Sequence, residues 1–102
     1  MQDFRCKAKE HALKDTPKES CGVIVKGKYW PCRNMADKPD NDFILEPRDY
    51  IKARQNGKIE AIVHSHPKGG PASPADKQAC SRTKIPWHIY LIPEDKWLII
   101  NP

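Results

Sequence analysis

The sequence predicts a mixed α/β domain, a β-sheet flanked by helices, and two observations carry that prediction. Short runs rich in Val, Ile and aromatic residues, among them "CGVIV", "EAIVH", "WHIYLI" and "KWLII", occur both back to back and separated by stretches with helical spacing. Gly, Pro and Asp mark the junctions between them. That order suits a sheet with strands both consecutive in sequence and joined through helices. With 102 residues the chain has room for one core and not two, so a single domain over 1–102 is expected.

The elements follow in order. In "DFRCKAKEHALKD", Phe4, Ala8, His11 and Ala12 fall on one face at helical spacing. Asp15-Thr16-Pro17 ends that helix, because the residue before a proline is pushed out of the helical region. "CGVIVKGKYWPCRN" reads as a hairpin turning at Lys26-Gly27-Lys28, and "MADKPDND" as a polar loop. "FILEPRDYIKARQNG" passes from a short strand into a helix, with Pro47 in the first turn and Gly57 just past the end. "KIEAIVHSH" is the best candidate for a central strand. "SPADKQACSR" opens a helix, and "WHIYLIP" and "KWLII" form two closing strands. The expected order is α-β-β-β-α-β-α-β-β.

Composition excludes several functions. The longest wholly apolar runs, Ile89–Ile92 and Trp97–Ile100, cannot span a bilayer, so no membrane role is expected. No secretory signal opens the chain, which makes the cytoplasm the expected compartment. In that compartment Cys6, Cys21, Cys32 and Cys80, which include no C-x-x-C pair, are expected as free thiols. The net charge is +5, but the 18 basic residues are scattered and not interleaved with aromatics, so no nucleic-acid partner is expected. His11, His88, Trp30, Trp87 and Trp97 sit in helical or strand patterns and read as packing residues.

The chemistry concentrates in "VHSHPKGGPASPAD". His64 and His66, two apart on a strand, project from the same face with Cα atoms about 6.5 Å apart. Asp76 could add a hard oxygen from the next helix, leaving the fourth zinc position to water, as in a catalytic site. Ser73-Pro74-Ala75-Asp76 is equally a helix start, with Ser73 as N-cap and Asp76 as its capping-box partner. The two roles are compatible, since the carboxylate has two oxygens. Glu19, in "PKESCGVIV", is the candidate general base; on local sequence alone it reads first as an exposed residue ahead of a strand.

"KESCGVI", then "VHSHP", then Ser73-x-x-Asp76 resembles the signature of the JAMM (JAB/MPN-type) zinc metalloproteases. With "YWPCRNMA", "DFILEPRDY" and "PWHIYLIP" included, nearly the whole chain resembles the K-type tail assembly proteins of lambda-like phages. The resemblance implies a JAB/MPN-like, cytidine-deaminase-like fold and zinc-dependent hydrolysis of a peptide or isopeptide bond in a protein substrate. It implies zinc ligation by His64, His66 and Asp76, proton transfer by Glu19, and oxyanion stabilisation by Ser73. It further implies work in phage tail assembly, in the host cytoplasm if phage-encoded, on partners that include a ubiquitin-like tail protein and other tail assembly proteins. The competing reading is a domain that binds zinc and serves only as a docking module of the tail. Two departures stand out. Six residues separate His66 from Ser73 where the family pattern has seven. K-type proteins often carry a following cysteine-peptidase domain of the NlpC type, whereas this sequence stops at Pro102, as a stand-alone or trimmed version would.

Overall fold

The computed structural model describes residues 3–102. Its elements are α1 (Phe4–Asp15), β1 (Cys21–Val25), β2 (Lys28–Cys32), α2 (Pro47–Arg54), β3 (Ala61–His66), α3 (Pro74–Thr83), β4 (Trp87–Leu91) and β5 (Lys96–Ile100). The five strands form one mixed sheet in the order β2-β1-β3-β4-β5. β3 is central, antiparallel to β1 and parallel to β4, and its residues are buried almost throughout. An apolar run with no alternation is what a strand covered on both faces requires.

Helices cover the two faces. On one, Ala8 of α1 packs with Ile24, Tyr29, Ala61 and Val63. On the other, Ala53 of α2 and Cys80 of α3 join Val23, Val25, Ile62 and Trp87. Each helix begins with a side-chain cap: Asp3 accepts from the Arg5 amide, Glu46 from Asp49 and Ser73 from Asp76. The hairpin turns on Lys26 and Gly27, both at positive φ, which matches the twist of its flanking strands. All four cysteines are free thiols. Among the described residues no helix is long and apolar enough to cross a membrane.

One expected element is absent among the described residues. Phe43–Glu46 does not form a strand; a single bridge, Asn34 to Leu45, is all the pairing it makes. Pro47 starts α2 immediately afterwards, and the preceding loop is shaped by the Asn34 side chain rather than by a ladder. α2 is also shorter than expected, ending at Arg54 before Gly57.

Candidate metal centre

β3 carries His64 and His66 on the face that holds Ile62, toward α3. Strand pairing then supplies Glu19. Cys21 stands opposite His64 in the antiparallel register, so two residues earlier Glu19 reaches the level of His66 on the same face. Two hydrogen bonds extend the ladder beyond the end of β1: the Ser65 amide donates to Ser20 O at 3.1 Å, and the Ser20 amide donates to Ser65 Oγ at 2.8 Å. Ser65 is fully buried, so the residue between the two histidines anchors the segment that bears Glu19. Glu19, His64 and His66 each bring a ligand atom within 4.8 Å of the other two.

Asp76 completes the group from the first turn of α3. Its Oδ2 accepts from the Ser73 amide at 3.1 Å and lies 3.2 Å from His66 Nε2, while Oδ1 lies 3.5 Å from His64 Nε2. The Asp76 amide donates to Ser73 Oγ at 3.0 Å. The capping box is therefore formed and the carboxylate also faces both imidazoles. Gly69 and Gly70, both at positive φ, carry the short loop from β3 round to this helix. A side chain at Gly69 would press on the Glu94 carboxylate.

His64 is 1 % exposed, and neither of its ring nitrogens has a hydrogen-bond partner among the described residues. Burial pushes its pKa down, against the Asp76 carboxylate. The Asp76 hydrogen bond raises that of His66, against partial burial. Burial by itself would raise Asp76, but the two imidazoles and the Ser73 amide hold its carboxyl well below the usual carboxylate range. Glu19, 7 % exposed, is pushed up to about 7 by desolvation, with His66 opposing and Asp76 and Asp42 adding to the rise. A carboxyl near neutrality is suited to passing protons in both directions.

The donor set fits zinc. Two imidazole nitrogens and a carboxylate are borderline ligands of the kind zinc takes. The Asp76 carboxylate faces both imidazoles, with Oδ1 3.5 Å from His64 Nε2 and Oδ2 3.2 Å from His66 Nε2. The buried, unpartnered Nε2 of His64 is the kind of atom that an ion would satisfy. A cleft of about 570 Å³ opens beside the group, with Glu19, Asp42, Phe43, His66, Ser73 and Asp76 among its lining residues.

Sequence reasoning passed over Phe43, Asn34 and Ser65. Phe43 stacks on His64 with centroids 4.4 Å apart, and Asn34 donates to Glu19 O at 3.0 Å. Only the serine inside H-S-H had a visible signal, its place between two ligand candidates.

Comparison with known proteins accords with this geometry. The chain is 41 % identical over 97 residues to the tail tip assembly protein K of Escherichia phage N15, a match covering 90 % of this chain and 40 % of that protein. It is 30 % identical over 90 residues to a probable TtuB-protein conjugate cleaving protease of Thermus thermophilus, covering 78 % of this chain and 60 % of that one. This chain thus spans less than two thirds of either relative. A solution structure of a protein from Desulfitobacterium hafniense shares the fold, with a TM-score of 0.74 and 23 % identity over 97 % of this chain and 78 % of the other. Residues 3–99 match the family described as prokaryotic homologs of the JAB domain, and the chain belongs to that family.

Proposed function

We propose that the domain is a zinc metallopeptidase that hydrolyses a peptide or isopeptide bond in a protein substrate during phage tail assembly. The reading rests above all on one observation: two imidazoles and two carboxylates, one of the latter with its pKa raised to about 7, meet beside an open cleft that Glu19, His66 and Asp76 line. His64, His66 and Asp76 would hold the zinc. Zinc in such a site acts as a Lewis acid, making water more acidic and a carbonyl more electrophilic.

Glu19, ionised, takes the proton of the attacking water and then, as the acid, delivers it to the departing nitrogen. Desolvation brings its pKa near neutrality, so neither transfer is steeply uphill. Ser73 Oγ accepts from the Asp76 amide, which leaves its hydroxyl hydrogen free to donate to a developing oxyanion at the cleft. Asp76 and the capping box orient the two imidazoles while α3 stays fixed at its first turn. The Thermus relative, named as a probable protease that cleaves protein conjugates, supports a protein substrate, and the N15 relative supports other tail proteins as partners.

The non-catalytic reading, a zinc-held docking module, draws on the N15 relative's name, which mentions assembly and no hydrolysis. One experiment separates the two. The zinc-loaded protein is incubated with a ubiquitin-like tail domain joined through its C-terminus to a reporter. Glu19→Gln should leave zinc content unchanged and cut cleavage by about 10²- to 10⁴-fold. Unchanged cleavage would remove Glu19 from the mechanism, and no cleavage by the unaltered protein on any tail protein would favour the docking module.

A further inference from the structure

We propose that Phe43 is a positioning residue for the His64 ring, holding by aromatic stacking an imidazole whose second nitrogen has no protein partner among the described residues. The inference rests on the reading of His64 as a metal ligand. A metal-bound histidine almost always donates its other ring N–H to a carboxylate, a carbonyl or water, which fixes ring orientation and tautomer. Here Nε2 faces Asp76, and Nδ1 is buried with no partner among the described residues.

Aromatic rings enclose the imidazole instead. Phe43 lies nearly parallel to it, at 4.4 Å and 24°. Trp87 meets it edge-on at 5.4 Å and 85°, and Phe43 and Trp87 contact each other at 5.5 Å. One ring stacked on its face and a second packed perpendicular to it leave the imidazole little freedom to rotate about its bond to Cβ.

Phe43 is itself held on both sides by one side chain. Asn34 Nδ2 donates to Asp42 O at 2.8 Å, and Asn34 Oδ1 accepts from the Ile44 amide at 3.1 Å. The same Nδ2 lies 3.0 Å from Glu19 O, so the loop bearing Phe43 and the segment bearing Glu19 share an anchor. The stretch expected as a strand is thus a clamp over the site.

The test is zinc titration against a competing chelator for the unaltered protein, Phe43→Leu and Ile85→Ala, with melting temperatures measured alongside. Leucine retains apolar bulk and removes the ring. Ile85 packs on the same core cluster and has no part in the site. Phe43→Leu should weaken zinc binding by about 10-fold or more, whereas Ile85→Ala should lower the melting temperature and leave zinc affinity unchanged. Equal affinity in Phe43→Leu and the unaltered protein would overturn the proposal. So would parallel affinity losses in the two variants, which would reduce Phe43 to ordinary core packing. A second reading avoids variants altogether: the nuclear Overhauser contact between the His64 and Phe43 rings should persist when zinc is added, and its loss would overturn the stack as the restraint. If the unaltered protein takes up no zinc, the metal-centre reading fails with it, an outcome distinct from any that concerns Phe43 alone.

Discussion

Each face of the sheet carries two histidines, and the pairs live in opposite circumstances. On the α1 face, His11 Nδ1 is hydrogen-bonded to Tyr29 Oη of β2 and His11 Nε2 lies 3.1 Å from Asp15 of its own helix, so both nitrogens have partners. Tyr29 passes the chain on to Cys21 O. His88 sits edge-to-face against Phe4, with no second ligand-type side chain in that contact. On the α3 face, His64 and His66 share one carboxylate, and Glu19 stands within reach of both. Histidine content therefore says little. A ring such as His11, whose hydroxyl and carboxylate partners are shared with no second imidazole, belongs to packing, and rings that converge with each other on one carboxylate belong to chemistry.

Removing a proposed ligand should give the largest effect. His66→Ala is expected to cost more than the roughly 10- to 100-fold in zinc affinity that outer partners cost, and competition titration measures it. A smaller effect comes from pH. The Asp76 hydrogen bond raises the pKa of His66 above 6.5, so below that folded pKa the ring keeps a proton that an ion must displace. The zinc-dependent rise in melting temperature should accordingly grow from about pH 6 to about pH 8. Without zinc the sign reverses for this residue: the stability from its raised pKa is fully present below 6.5 and is lost as pH rises through the folded value. Scans with and without chelator read both trends, and a zinc-dependent shift that is flat with pH would break the assignment of His66. The smallest effect belongs to the other face. His11→Gln should cost about 1 kcal/mol through a weakened bond to Tyr29 and leave zinc affinity unaltered. A change in zinc binding there would erase the contrast between the faces.

Much of this could be read in advance. The uninterrupted apolar run of β3, the pairing of His64 with His66 on one side of a strand, and the cap at Ser73 are consequences of local periodicity and turn chemistry. The capping role of Asp76 is formed as expected, and its carboxylate also faces both imidazoles, with Oδ2 at the Ser73 amide and His66 and Oδ1 toward His64. The stretch Phe43–Glu46 differs from the expected strand, since Phe43 and Leu45 line the cleft and Ile44 is exposed, with one bridge in place of a ladder. Local pattern reports that a residue will be buried, not what it will be buried against.

The sequence alone determined the strand that presents both imidazoles, the helix start that presents Asp76, and the glycines that let a short loop join them, because each depends on neighbours only a few positions away. The tertiary structure alone decided that Glu19 stands beside His66, that Phe43 lies over His64, and that Asn34 ties the two together. Those placements follow from the register of β1 on β3 and from the course of one irregular loop, where residues far apart in the chain meet only after the sheet has formed.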